Sequence, residues 1–298
     1  MQKGKIAVIG AGKWGQALHF ALSQKQECFI TSRTKRDIEN FVNLDFALSC
    51  EYLVIAVPAQ EIRAWLKDNF IFNNQKILVA SKGIEASSGD FLNDIYSLFV
   101  PDTNIGFISG PSFAAEVIKA LPCALVINSS SEAIYQEFNK FFPNFIKTYY
   151  SKDIIGAEIA GAYKNVLAIA SGICEGLNLG NNAKASLIAR GLVEMYRFGK
   201  FFGASEDTFL GLSGAGDLFL TANSTMSRNY RVGLGLAQNR KLEEILKDLG
   251  EVAEGVKTAY AIDKLAIKHD IYLPIAKEVK LILEGKNPKD SLKDLLSK

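Results

Sequence analysis

The chain has 298 residues, 48% of them hydrophobic; that length exceeds what one hydrophobic core usually organises, so two domains are expected. Lys plus Arg number 34 against 32 Asp plus Glu, and a net charge of +2 gives no reason to expect a nucleic-acid or other polyanion partner. Four scattered cysteines (Cys28, Cys50, Cys123, Cys174) with no CxxC pair argue against a zinc site or a disulfide framework, and with only His19 and His269 present, any acid–base chemistry falls to lysine.

The opening MQKGKIAVIGAG enters a strand and a glycine turn without the apolar segment and cleavage site of a secretion signal. No stretch approaches the roughly 18 uninterrupted apolar residues of a membrane span, so none is expected. Short apolar runs at 5–9, 27–31, 52–57, 76–80, 104–108 and 124–128 read as strands, with a helix over 14–23 after the first. Several of these runs have the two-faced burial pattern of central parallel strands, and strands alternating with helices predict a doubly wound parallel α/β sheet over residues 1–150. The texture changes near residue 150. Helical patterns cover 153–174, 183–202, 206–222, 229–238, 242–249, 258–269 and 275–284, so residues 151–298 are expected to form an all-helical domain with a solvated, Lys-rich end after Lys286.

Gly10-Ala11-Gly12-Lys13-Trp14-Gly15 is a GxGxxG between that first strand and first helix. The first glycine allows the tight turn, the second admits a pyrophosphate against the backbone, and the third lets helix and strand pack closely. The helix N-terminus then offers N–H groups and partial positive charge to phosphates, which makes this a dinucleotide site. At the end of the second strand, where an acidic residue would bond the ribose of NAD, the chain reads Thr31-Ser32-Arg33-Thr34-Lys35-Arg36. Arg33 can meet a 2′-phosphate, which favours NADP(H); an exposed basic turn is the plainer alternative.

Lys82, in Ser81-Lys82-Gly83, and Ser112, in Gly110-Pro111-Ser112-Phe113-Ala114, both follow strands, at the carboxyl ends where open α/β sheets bind ligands. Each has a bland alternative, a solvated lysine and a helix-capping serine. In the second half, Lys164-Asn165 interrupts an apolar helix; a buried ammonium is costly unless paired or functional, although the lysine stem can also snorkel to the surface. Asp217, after Gly214-Ala215-Gly216, reads as a helix N-cap, and Ser227-Arg228-Asn229 is a polar triplet with the donors that a phosphate needs.

In this order, GAGKWG, SKGIE, GPSFAAEV, AGAYKNVLAIASGICEGL, NNAKASLIARGLVEMYRFG, TFLGLSGAGDLFLT, SRNYRVG and EVAEGVKT resemble the bacterial NAD(P)-dependent glycerol-3-phosphate dehydrogenase family over nearly the whole chain. The resemblance implies a Rossmann domain followed by an all-α domain of the 6-phosphogluconate dehydrogenase-like kind. It also implies reversible reduction of dihydroxyacetone phosphate to sn-glycerol 3-phosphate, for phospholipid synthesis, by a cytoplasmic homodimer. It casts Lys164 as the catalytic acid–base. Lys82, Gly110, Ser112, Asp217, Ser227, Arg228 and Asn229 become substrate contacts. Gly10, Gly12, Lys13, Trp14, Gly15, Arg33, Lys82, Ala114, Arg228, Val252 and Glu254 become contacts of NADP(H) or NAD(H). No metal is implied. The stretch between Arg33 and Tyr52 is shorter than is usual in the family, near the adenine end of the cofactor. A carboxylate-substrate β-hydroxyacid dehydrogenase and a non-catalytic NAD(P)H sensor are the rival readings; the sensor leaves Lys164, Asp217 and Arg228 without a purpose.

Overall fold

The apolar runs of the first half form a seven-stranded sheet in the computed structural model, which describes residues 1–250 and 252–297. Strands β1 (Gln2–Ile9), β2 (Cys28–Thr31), β3 (Cys50–Ile55), β4 (Lys76–Val79), β5 (Ile105–Ser109), β6 (Cys123–Asn128) and β7 (Ile146–Ser151) lie in the order β2-β1-β3-β4-β5-β6-β7. Helices α1 (Lys13–Ser23), α2 (Leu44–Ser49), α3 (Ile62–Asn69), α4 (Leu92–Ser97), α5 (Ala114–Val117) and α6 (Glu132–Asn139) connect them. Alternate strand residues feed opposite faces: Ile6, Val8, Val54 and Leu78 enter one core, and Ala7, Ile9, Leu53, Ile55, Ile77 and Val79 the other.

From β1 the chain steps to β2 on one side and then crosses to β3 on the other, so the strand order reverses at β1. Such a switch point opens a crevice at the carboxyl ends of the strands. Two departures from the expected parallel sheet appear. The β5–β6 pair is antiparallel, and β7 extends the sheet beyond the expected strands. The residues of β7 alternate, with Ile146 and Thr148 buried and Lys147 and Tyr149 exposed, a weaker signal than the continuous apolar runs of the central strands.

From Ile154 the chain is helical, through α7 (Ile154–Gly176), α8 (Gly180–Phe201), α9 (Glu206–Leu210), α10 (Asp217–Ala222), α11 (Arg228–Ala237), α12 (Leu242–Leu249), α13 (Glu254–His269), α14 (Pro274–Leu283) and α15 (Pro288–Leu296). The single helix expected over 206–222 is broken by a π-helical turn, Leu212–Gly216. The tail after Lys286 is no solvated end either: α15 buries Pro288 and Ser291, and Lys286 pairs with Glu278 (2.5 Å) and Asp294 (2.6 Å).

Helix α7 is the axis of the second unit, buried on every side from Ala157 to Cys174. Side chains larger than hydrogen at Gly172 or Gly233 would overlap the backbone of the facing helix, so α7 and α11 meet main chain to main chain. Ser171 Oγ donates to Ala222 O (2.7 Å), tying α7 to α10. A buried carboxylate adds a third tie: Glu194 on α8 accepts from Tyr163 OH (2.7 Å) on α7 and from Ile275 N and Ala276 N (2.9 and 2.8 Å) at the start of α14. Burial raises its pKa, while those three donors oppose the rise.

The sequence puts the domain division at 150/151. By contacts the units are Met1–Lys82 with Leu92–Ala157, and Gly83–Phe91 with Glu158–Lys298. The strap Gly83–Phe91 belongs to the helical unit because Gly89 abuts Leu265, Phe91 meets the Phe202 ring edge-on, and Lys264 Nζ donates to Ser87 O (3.0 Å).

All four cysteines are free, and burial pushes the Cys28 thiol up to about 12 and the Cys50 thiol to about 11. No helix among the described residues is long and apolar enough to cross a membrane.

His19 is buried, its Nε2 donates to Cys28 O (2.9 Å), and burial lowers its pKa below 6.5. The folded state therefore resists the proton that the unfolded chain accepts, so stability is retained above pH 6.5 and falls as pH drops from there toward the lower folded value. Urea midpoints measured across this window are expected to fall on acidification, and His19→Gln to flatten that part of the slope.

Candidate active site

At the switch point, Gly10 N donates to Thr31 O (2.8 Å) and Ala56 N to Ile9 O (2.8 Å), joining the ends of β1, β2 and β3. Gly10 has φ +109°, and a Cβ there would lie 2.7 Å from Ala56 O. A Cβ at Gly15 would overlap Gly10 O, whereas one at Gly12 would meet nothing within 4 Å. The turn is thus packed tight on the sheet side and open at the N-cap of α1, which has no side-chain cap. Lys13 and Trp14 begin α1; Trp14 packs against the same core as Ala114 on α5, and its indole N–H is buried without an acceptor. An open, uncapped glycine turn at a helix N-terminus fits a dinucleotide pyrophosphate, so these residues suit the cofactor that the fingerprint implies.

Arg33 stands exposed in the turn after β2. Ser32 Oγ donates to Thr34 O (2.8 Å), and the shortened stretch that follows returns along β2, where Ile30 N donates to Asn40 O (3.1 Å) and Val42 N to Ile30 O (2.9 Å). Lys82, half-buried after β4, reaches Gly110 O after β5 at 3.4 Å, and Ser112 Oγ donates to the same carbonyl at 3.3 Å. Gly110 needs its freedom, with φ +110° and Ala124 O 2.9 Å from where a Cβ would sit.

In the helical unit, Lys164 is 8% exposed and Asp217 is 2% exposed. Lys164 Nζ donates to Asp217 Oδ1 (2.8 Å) and Thr221 Oγ1 (2.9 Å), and the Thr221 hydroxyl donates on to Asp217 Oδ1 (3.3 Å). Asp217 is therefore no N-cap. It is the first residue of α10 after the cap Gly216, and its carboxylate serves the ammonium. The π turn aims it, and Gly214 within that turn lies so close to the Phe209 backbone that no side chain fits. Ser227 is the N-cap of α11, its Oγ accepting from Tyr230 N (3.2 Å), and Arg228 is exposed on the first turn.

Asn229 is buried and engaged at both ends of its amide. Its Nδ2 donates to Asn165 Oδ1 (2.9 Å), and its Oδ1 accepts from Gly255 N (3.0 Å) on the first turn of α13. Val252 precedes that turn, exposed, and Glu254 opens it. The sequence reasoning did not single out Thr221, Gly255, Glu194 or the strap. For Thr221 a signal existed, since it stands four residues after Asp217 on one helix face. Among the described residues no group of three or more His, Cys, Asp or Glu side chains could hold a metal ion.

A switch-point glycine turn on an α/β sheet and a helical unit that buries a paired lysine are parts that a two-domain nicotinamide-dependent dehydrogenase needs. The family models for the N-terminus and the C-terminus of NAD-dependent glycerol-3-phosphate dehydrogenase match residues 30–135 and 153–293, and the chain belongs to this family. It is 64% identical over 293 residues to glycerol-3-phosphate dehydrogenase [NAD(P)+] of Sulfurimonas denitrificans, covering 98% of this chain and 99% of the relative. The corresponding Campylobacter jejuni protein is 63% identical over 292 residues, 98% of each chain. A crystal structure of the Coxiella burnetii glycerol-3-phosphate dehydrogenase superposes with a TM-score of 0.89 at 32% identity, covering 99% of each chain. D-mandelate dehydrogenase, at 14% identity and TM-score 0.59, shares the fold alone.

A Cβ on Gly255 would come within 2.7 Å of Asn165 O and 2.8 Å of Asn229 Oδ1, both parts of a tightly packed region. Gly255→Ala is expected to cost about 1–3 kcal/mol of stability by overpacking, read as a lowered urea midpoint with unchanged slope.

Proposed function

We propose that the buried ammonium of Lys164, clamped by Asp217 and Thr221, is the acid–base of a glycerol-3-phosphate dehydrogenase that interconverts dihydroxyacetone phosphate and sn-glycerol 3-phosphate with NAD(P)(H). That clamp is the observation that carries the reading. A charge held in an otherwise apolar helix costs several kcal/mol of solvation unless it is paired, and its value lies in what it can donate.

Gly10, Gly12, Lys13, Trp14 and Gly15 hold the cofactor pyrophosphate at the start of α1, Ala114 lies against the same core, and Arg33 faces the adenosine end. Bound NAD(P)H supplies the hydride. Lys164 gives its proton to the substrate oxygen that gains charge and takes it back in the oxidative direction. Asp217 and Thr221 fix the Nζ position by accepting its N–H bonds between turnovers. Lys82, steered by Gly110 O, places a second positive charge at the strand ends, with Ser112 beside it. The Arg228 guanidinium takes the substrate phosphate and also meets the cofactor, at a helix start whose dipole favours an anion. Ser227 Oγ accepts within the protein and Asn229 is engaged at both ends of its amide, so they aim Arg228 and offer the substrate the Ser227 O–H and the remaining Asn229 N–H. Val252 and Glu254 form a further cofactor edge. The reading includes a cytoplasmic homodimer supplying phospholipid synthesis, supported by the family resemblance, and sedimentation of the purified chain measures the oligomer.

In an assay following reduced cofactor with dihydroxyacetone phosphate, Lys164→Ala is expected to lower kcat by about 10²–10⁴-fold, and Arg228→Ala to act mainly through KM. Near-normal turnover by the Lys164 variant would remove that lysine from the chemistry, and inactivity of the wild-type protein while it binds cofactor would turn the assignment toward a carboxylate substrate. Arg33→Asp is expected to lower kcat/KM for NADPH relative to NADH. An unchanged ratio would mean that Arg33 does not read the 2′-phosphate.

A further inference from the structure

Lys164 has an immediate neighbour with no part in the chemistry above. Asn165 is buried at 5% exposure one residue further along α7, and its side chain faces away from the Asp217–Thr221 clamp. Its Oδ1 accepts from Asn229 Nδ2 (2.9 Å), its Nδ2 donates to Gly161 O one helical turn back (3.3 Å), and Asn229 Oδ1 accepts from Gly255 N (3.0 Å). The chain of bonds therefore runs from α7 through α11 to the first turn of α13. Its direction is set throughout: the backbone N–H of Gly255 can only donate, so Asn229 Oδ1 must accept, Asn229 Nδ2 must donate, and Asn165 must present its oxygen. The packing enforces the same contact, since a Cβ on Gly255 would crowd both Asn165 O and Asn229 Oδ1.

The elements joined in this way carry the groups assigned above to different ligands. Arg228 starts α11 beside Asn229, and Val252 and Glu254 lead into Gly255 at the start of α13. We propose that Asn165 is a positioning residue whose amide oxygen, acting through Asn229, holds the phosphate-binding start of α11 and the cofactor-binding start of α13 in one fixed register on the Lys164 helix. This inference rests on the functional reading above. It adds that substrate phosphate and cofactor are gripped by one latch, which Asn165 closes without touching either.

The acceptor role separates the outcomes. Asn165→Ala removes the oxygen and leaves Asn229 Nδ2 without its partner. Asn165→Asp keeps the acceptor for Asn229 Nδ2 and, as the protonated acid, a donor for Gly161 O. The full-length protein is assayed for kcat and for KM of dihydroxyacetone phosphate, and NADPH binding is measured separately by fluorescence titration, which needs no turnover. Losing one buried hydrogen bond corresponds to roughly three- to tenfold in each constant. Asn165→Ala is expected to raise both the substrate KM and the NADPH Kd by about that factor with kcat changed much less, and Asn165→Asp to recover most of both losses. A fall in kcat with both constants unchanged would overturn the proposal by placing Asn165 at the reacting atoms. A rise in KM alone would overturn it by cutting α13 out of the latch. Equal losses in the alanine and aspartate variants would overturn it by showing that the acceptor oxygen is irrelevant. If the alanine variant does not fold, Asn165→Ser, which shortens the oxygen's reach, takes its place under the same criteria. A wild-type protein that binds NADPH but ignores dihydroxyacetone phosphate would count against the functional reading, while the NADPH Kd of the variants still tests the α13 arm of the latch.

Discussion

Much of the helical unit follows from one constraint: an ammonium group is held inside a helix with no wet face. Helix α7 is apolar over nearly its whole length, and Lys164 sits within its buried stretch. Desolvating a lysine is tolerable only with an opposite charge and hydrogen-bond acceptors at contact distance. Asp217 and Thr221 provide them from one face of α10, and the π turn before α10 is the backbone irregularity that brings that face around. The glycines at 172 and 233 allow α11 to lie against α7 at main-chain distance, which carries Arg228 and Asn229 into the same neighbourhood. Buried ion pairs are weak sources of stability, so this arrangement is better understood as a cost carried for chemistry.

The α/β unit obeys a different constraint, that of backbone approach. Gly10 and Gly15 are required by the sheet and by each other, while Gly12 is required by nothing in the protein itself. Open space at the N-cap of an uncapped helix leaves room for a phosphate to approach the backbone. Gly110, by contrast, is required by the fold, through its positive φ and the nearby Ala124 O, and its carbonyl gathers Lys82 and Ser112 from two separate strand ends.

What could be read in the sequence was what depends on local pattern. The central strands announced themselves as short apolar runs, α1 followed its glycine turn, and Lys164 stood out because, with Asn165, it interrupts an otherwise apolar helical pattern. Features fixed by distant partners were hidden. Strand β7 buries only alternate residues, and the antiparallel β5–β6 pairing leaves no mark in composition. The break in 206–222 coincides with a close approach of Gly214 to the Phe209 backbone, and α15 is accompanied by ion pairs from Lys286 to Glu278 and Asp294. Asp217 looked like a cap because Asp is common there; that it serves Lys164 is a tertiary fact. Ser227 also caps α11, a second role its triplet did not announce.

The strap Gly83–Phe91 carries a consequence for how the protein is made. Its packing partners, Phe202 and Leu265, lie far downstream. During synthesis the strap leaves the ribosome long before anything exists for it to pack against, whereas the strands on either side of it can already pair. The helical unit can therefore finish folding only by recovering a piece of chain stranded within its neighbour's sequence. Cutting the gene between codons 157 and 158 would not yield two independent proteins: the downstream fragment would lack its first segment, and the upstream one would carry an orphaned loop, with Phe91 deprived of Phe202.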